Sequence, residues 1–108
     1  MTVPASIEQL LKKHNITIKS RNCVVIGRSN IVGKPMAMML INESATVTIC
    51  HSQTKNLEEY TKKADILISA VGKAHMITSD MIKDGAVLID IGITKTTLME
   101  IGNWVSSD

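Results

Sequence analysis

The sequence predicts an α/β domain: a doubly wound, mostly parallel sheet with helices on both faces. Four short β-branched runs are apolar throughout rather than at every second residue, as in strands covered on both sides. Segments of helical period separate them, and glycine follows three of the four runs, at Gly27, Gly72 and Gly92. Strands alternating with helices in this way form parallel crossover units.

Ser6 followed by Gln9 makes a capping box, and Ile7, Leu10 and Leu11 recur on one face, which predicts a first helix ending near His14 or Asn15. Cys23-Val24-Val25-Ile26 is a strand too short to be a helix, closed by Gly27. Pro35 suits a first helical turn, with Met36, Ala37, Met39 and Leu40 as the buried face before Asn42. The pattern then repeats. A strand over residues 45–50, a helix marked by Leu57, Tyr60 and Ala64, and a strand over residues 66–71 lead to a short helix capped by Thr78 or Ser79 and running through Met81 and Ile82. Residues 86–91 make the fourth strand. Beyond Lys95, Leu98, Ile101 and Trp104 share a face, but Gly102 and Asn103 weaken a helix, so residues 1–95 are read as the domain and 96–108 as an irregular tail.

A chain of 108 residues allows one domain, on a prior of roughly 100 to 200 residues each. A net charge of +2 and 2% aromatics, with no Phe, argue against a nucleic-acid platform of basic stripes and stacking rings. No apolar stretch approaches the roughly 20 residues that span a bilayer, and no signal peptide opens the chain, so a soluble, cytoplasmic protein is expected, without membrane contact. Cys23 and Cys50 lie inside strand-like runs and read as small buried hydrophobes. His14, His51 and His75 fall in separate loops, so no metal site is expected. Asp65 and Asp90 are the carboxylates in apolar strand contexts; Asp65 suits local backbone donors, and Asp90, nearer the carboxyl edge, has the larger functional claim. The seven methionines read mainly as core filling.

Ligands of open parallel sheets bind beyond the carboxyl ends of the strands. The richest such segment is Gly27-Arg28-Ser29-Asn30-Ile31-Val32-Gly33-Lys34-Pro35, where free N–H groups and the helix dipole are expected to favour an anion. It is not an NTPase loop, because five residues separate the glycines and Pro35 follows Lys34. Nor does it match G-x-G-x-x-G, since Ser29 holds the place of the second glycine and Gly33 comes one residue late. A nucleotide would meet a longer loop with polar side chains. Beyond the second strand, Cys50-His51-Ser52-Gln53-Thr54-Lys55 lacks the carboxylate that bonds a ribose 2′-hydroxyl in NAD sites. Arg28 offers forked donors to a phosphate and Ser52 or Thr54 a hydroxyl, which tilts the choice toward NADP over NAD. Locally, the alternative is that Arg28 and Lys55 are solvated cations and Ser52 or Thr54 a helix cap.

The segment from Val25 to Ala37, followed by Ala45-Thr46-Val47-Thr48, His51-Ser52-Gln53-Thr54, Ala64-Asp65-Ile66 and Gly85-Ala86-Val87-Leu88-Ile89-Asp90-Ile91-Gly92-Ile93, closely resembles the cofactor domain of bifunctional methylenetetrahydrofolate dehydrogenase/cyclohydrolase. The resemblance covers roughly residues 4 to 95 and is carried chiefly by G-R-S-x-x-V-G-x-P. It implies a Rossmann-type domain that binds NADP for oxidation of 5,10-methylenetetrahydrofolate, which the complete enzyme then hydrolyses to 10-formyltetrahydrofolate. It also implies that Gly27, Arg28 and Ser29 form the cofactor loop, that Ser52 lies near the adenosine ribose, and that the backbone of Ile93 lies near the nicotinamide.

The family's preceding catalytic domain, with its Tyr-x-x-x-Lys motif, is not in this chain; Tyr60 is followed by Lys62 and Lys63, at the wrong offset. The later P-G-G-V-G-P-M-T segment is missing, only Pro4 remains of the entry motif, Ala74 replaces a proline, and Thr94 replaces an asparagine. Gly102-Asn103 stands where the family has Gly-Asp. No catalytic residue is therefore assigned. The expectation is an NADP-binding domain inactive alone, meeting folate only with a separate catalytic domain, and prone to form a homo-dimer through apolar surface that domain would cover. The alternatives are a non-catalytic, NADP-responsive interaction module and a scaffold that no longer binds nucleotide.

Overall fold

Thr2 starts the first helix, α1 (Val3–Lys13), by accepting the Ala5 N–H on Oγ1 at 3.4 Å. Pro4 lies in the first turn, where its missing N–H leaves nothing unpaired. The expected Ser6–Gln9 capping box is thus corrected: Ser6 is inside the helix, and its hydroxyl donates to the Thr2 carbonyl at 3.1 Å. The helix ends at His14 as expected. A computed structural model describes residues 2–71, 77–92 and 96–101 of the chain.

After α1 come β1 (Asn22–Ile26), α2 (Gly33–Asn42), β2 (Thr46–Cys50), α3 (Leu57–Thr61), β3 (Ile66–Ser69), a single 3₁₀ turn at Ser79–Met81, β4 (Val87–Ile91) and β5 (Thr96–Glu100). The sheet runs in the order β2-β1-β3-β4-β5. Its first four strands are parallel, with Ile26 level with both Cys50 and Ser69, and Ser69 level with Asp90. The chain leaves β1 toward β2 on one side and crosses back to β3 on the other, so the topological switch lies between β1 and β3.

Residues 96–100 are not an irregular tail. They form β5, antiparallel to β4, with Val87 opposite Glu100 and Ile91 opposite Thr96. The strand escapes the sequence pattern because both faces are half-covered: Leu98 packs into one core layer and Met99 into the other, so no polar–apolar alternation develops. Backbone bonds from Gly85 to Ile101 (3.0 Å) and from Ile101 to Ala86 (2.7 Å) extend the pairing.

The doubly wound expectation holds. Ile7 and Leu11 of α1 with Met36 and Leu40 of α2 cover Cys23, Val25, Ile66, Ile68 and Ile89 on one face. Val24, Ile26, Cys50, Leu67 and Leu88 are covered on the other by Ala64, Ile82, Ile101 and, from α3, Leu57. Tyr60, expected on the inner face of α3, is instead exposed, and Thr61 is buried in its place. Cys23 and Cys50 are free thiols on opposite faces of the sheet, which rules out a bond between them. Burial, with a smaller effect of Asp65, pushes the Cys23 thiol up to about 12, so it behaves as the buried hydrophobe expected.

Asp65 ties the amino ends of three strands. Its Oδ2 accepts the Asn22 N–H at 2.8 Å, its carboxylate pairs with Lys83, and its backbone bonds Asn22 (2.7 Å) and Val87 (2.9 Å). The Lys83 contact first, and then the Asn22 N–H, hold the Asp65 carboxyl below the ordinary carboxylate range. A carboxyl whose pKa is depressed by folding stabilises the fold above its unfolded value and loses that contribution as pH falls through the folded value. Asp65→Ala is expected to cost about 1 to 3 kcal/mol near neutrality. In urea unfolding across pH, the gap to the parent should be constant above the ordinary carboxylate range and narrow as pH falls from that range through the depressed Asp65 value; a gap independent of pH would contradict this role.

Candidate functional site

The carboxyl ends of β1 and β3 flank the switch point, where an open α/β sheet leaves a crevice. Gly27 turns the chain there at φ 122°, a conformation that L side chains rarely adopt. A Cβ on Gly27 would also meet Val71 Cγ1 at 3.3 Å and Ala70 Cβ at 3.4 Å. Its N–H is fixed to the Cys50 carbonyl at 2.7 Å. At the other end of the loop, a Cβ on Gly33 would lie 2.6 Å from the carbonyl carbon of Gly27 and 2.8 Å from the Arg28 nitrogen. The start of α2 therefore rests directly on the backbone of the turn, backbone against backbone.

Between the two glycines the loop bonds itself. Ser29 Oγ accepts the N–H groups of Val32 (3.1 Å) and Gly33 (3.2 Å), and the Ser29 carbonyl accepts that of Lys34 (2.9 Å). Pro35 has no N–H, and that of Met36 goes to Val32 at 2.9 Å. The expected free N–H groups at the start of α2 are thus already used, a correction with a chemical consequence. Both lone pairs of the Ser29 hydroxyl are engaged, so its O–H is left as a donor. That donor is exposed, and the helix N-terminus polarises it through the two N–H groups behind it.

Beside the loop is a cavity of about 370 Å³, lined by Ile26, His51, Ser52, Leu57, Ser69, Val71 and Ile77. It falls within the range of small-molecule sites, with mostly apolar walls and few polar groups. The turn after β2 shapes its rim. The His51 N–H donates to Thr54 Oγ1 at 2.8 Å, His51 Nδ1 accepts the Gln53 N–H at 3.2 Å, and the Thr54 N–H returns to the His51 carbonyl at 3.0 Å. Thr54 is thereby a turn residue. Ser52, exposed and without such a bond, is the hydroxyl at the mouth.

Of the sequence-predicted site residues, Gly27, Arg28 and Ser29 lie consecutively in the loop and Ser52 lines the cavity. Arg28 and Lys55 are exposed. Ile93, Ala74, Thr94, His75 and Trp104 lie outside the described residues. His14 closes α1 through Nδ1 on the Leu10 carbonyl (2.9 Å), away from the crevice. Among the described residues no His, Cys, Asp or Glu cluster could hold a metal ion, and no helix is long and apolar enough to cross a membrane. Met36 and Met39 fill the core, whereas Met38 lies exposed with Ile31 and Ile41.

Sequence reasoning gave no role in the site to Gly33 or Ser69. The first had a signal, a glycine two residues before a helix-starting proline, in the region where helix and strand must approach most closely. The second had only the weak signal of a hydroxyl near the end of an apolar run.

A mostly parallel sheet with a glycine turn at its switch point, a helix packed on that turn and an apolar cavity beside it is the arrangement of a dinucleotide-binding α/β domain. Residues 1–106 match the family described as tetrahydrofolate dehydrogenase/cyclohydrolase, NAD(P)-binding domain, and the chain belongs to that family. It is 61% identical over 90 residues to the bifunctional protein FolD of Lachnoclostridium phytofermentans, covering 83% of this chain and 32% of the relative. With the FolD of Bacillus subtilis it shares 58% identity over 92 residues, 85% of this chain and 32% of the relative. The chain thus spans about a third of the length of these relatives. Among solved structures, the FolD of Campylobacter jejuni superposes with a TM-score of 0.81 at 41% identity, over 96% of this chain and 39% of that one. The Trypanosoma brucei enzyme, complexed with NADP cofactor and inhibitor, gives 0.77 at 31% identity, over 90% and 36%.

The two glycines Gly33 and Gly85 separate crowding from backbone strain. Gly85 has φ 85° but nothing within 4 Å of an added Cβ. Gly85→Ala is expected to cost about 1 to 2 kcal/mol from backbone conformation alone, and Gly33→Ala about 3 kcal/mol or more, because rigid backbone must move. Denaturant midpoints of the two variants check the order; equal costs would mean that the approach at Gly33 is not tight.

Proposed function

We propose that this chain binds NADP and is the cofactor domain of a methylenetetrahydrofolate dehydrogenase/cyclohydrolase, acting in one-carbon folate metabolism in the cytoplasm. The observation that carries the reading is the Gly27–Gly33 backbone contact with the Ser29 donor held above it, next to an apolar cavity. These residues fit a dinucleotide. The Ser29 O–H meets a phosphate oxygen, the Ser52 hydroxyl meets the adenosine ribose, and the cavity takes the base. Arg28 pairs in a fork with the 2′-phosphate, next to a β2 terminus that carries no carboxylate to repel it. The reading also assigns the backbone of Ile93 to the nicotinamide end.

When bound, NADP supplies a hydride acceptor for oxidation of the methylene-folate. On this reading the chain's residues bind and orient it, and none of them is assigned to the folate side of the cleft. Hydride transfer needs both reactants held at near contact, so the domain alone is proposed to be inactive, and a separate catalytic domain to restore turnover. The exposed Ile31, Met38 and Ile41 supply an apolar face on which that domain, or a second copy of the chain, would pack. That same face is what favours the second reading, an NADP-responsive module for an unrelated partner. Activity regained on adding the catalytic domain supports the first; a stable complex with another protein, and no regain, supports the second.

Calorimetric titration with NADP and NAD is expected to show tighter NADP binding. Arg28→Ala should weaken NADP by about 10- to 100-fold, one or two lost charge-assisted hydrogen bonds, while changing NAD little. An equal loss for both nucleotides would place Arg28 away from the 2′-phosphate.

A further inference from the structure

The turn after β2 is tied down more fully than a chain reversal requires. Over residues 51–54, the His51 N–H goes to Thr54 Oγ1 (2.8 Å), that of Gln53 to His51 Nδ1 (3.2 Å) and that of Thr54 to the His51 carbonyl (3.0 Å). The last bond alone closes a β-turn, and the other two are side-chain bonds added to it. Within the turn, only the Ser52 N–H has no partner among the described residues. Ser52 is exposed at the first central position, so its N–H and its Oγ–H both stand ready as donors.

Thr54 holds this arrangement. Its oxygen accepts the His51 N–H, and its side chain stands against the buried Cys50 thiol, which burial pushes up and the Thr54 hydroxyl partly draws back. Cys50 ends β2, and its carbonyl accepts the Gly27 N–H at 2.7 Å. The turn and the loop carrying Arg28 and Ser29 therefore leave the sheet from one hydrogen-bonded pair of residues, and Thr54 fixes the turn to that pair. His51 and Ser52 line the cavity, whereas the Thr54 oxygen is turned to the protein. An apex ordered in advance spares a ligand the entropy of ordering it.

Two donors on one residue distinguish what the ribose carries at its 2′ position. A 2′-phosphate can accept both, and its ionised oxygens make hydrogen bonds about twice as strong as neutral ones, an advantage that a 2′-hydroxyl lacks. Resting on the reading of the domain as an NADP site with Ser52 at the adenosine ribose, we propose that Thr54 is a positioning residue that sets the preference for NADP over NAD. It touches no cofactor atom and acts by aiming the Ser52 N–H and Oγ–H at the 2′-phosphate.

Titration of the full chain with NADP and with NAD tests this. Thr54→Val keeps the shape of the side chain and removes the oxygen; it is expected to weaken NADP by about tenfold, one charge-assisted hydrogen bond, and NAD by no more than about threefold. Thr54→Ser, which keeps the oxygen, should bind both nucleotides as the parent does, and Thr54→Ala should repeat the valine result with a side chain too small to crowd the turn. On a Ser52→Ala background, Thr54→Val should cost clearly less than on the parent, because residues acting through one contact are not additive. An NADP-over-NAD ratio unchanged in Thr54→Val and Thr54→Ala makes Thr54 an ordinary turn residue and overturns the proposal. A serine variant that behaves like the valine one, or losses at Ser52 and Thr54 that simply multiply, overturns it as well. A parent chain that binds neither nucleotide, or both alike, overturns the NADP reading itself, and this inference with it.

Discussion

The close approach of Gly33 to the backbone of Gly27 is the constraint on which the rest of the site depends. It fixes where α2 begins, and so sets Met36 and Leu40 over β1 and β3 in the core. It also sets the length of the loop between, which must span from the end of a strand to a helix start lying directly on that end. Ser29 satisfies the donors of the first helical turn from within this loop, so the loop has its conformation before any ligand arrives. A loop ordered in advance spares the ligand the entropy of ordering it. Folding energetics and ligand binding thus meet in one short segment.

The fold was legible because its core strands are apolar throughout, a pattern that only a sheet covered on both faces produces in short runs. Cys23 to Ile26 and Ile66 to Ser69 are read at sight, and Pro35 marks α2 within its first turn. The errors have physical causes. Thr2 competes with Ser6 for the cap of α1 and wins, because Pro4 is pre-set for the first turn and costs no hydrogen bond there. β5 is an edge strand half-covered on both sides, so its side chains carry neither of the two sequence periods.

Site residues were legible to different degrees. Arg28, and Ser52 or Thr54, come from the chemistry a phosphate asks for, whereas Gly27, Ser29 and the choice of Ser52 come from the family resemblance; the fold brings Gly27, Arg28 and Ser29 to one loop and Ser52 to the adjoining cavity. How Ser29 works was not legible. The sequence suggests a hydroxyl standing beside free N–H groups, whereas in the structure it takes up two of those N–H groups and leaves its own proton outward. Gly33 acts through a tertiary approach, and Ser69 lines the cavity only as part of the assembled sheet; neither exists until strands β1 and β3 lie side by side.

That this crevice, rather than some other face of the sheet, receives the nucleotide is the central claim. Following backbone amide resonances of the chain by NMR during NADP titration tests it most directly. The account predicts that the largest changes fall on Gly27, Arg28 and Ser29, on Ser52, and on Ser69 and Val71 around the cavity, with the amino edge at Asn22, Asp65 and Gly85 left undisturbed. Changes centred on that amino edge, or none in the loop from Gly27 to Gly33, would contradict it.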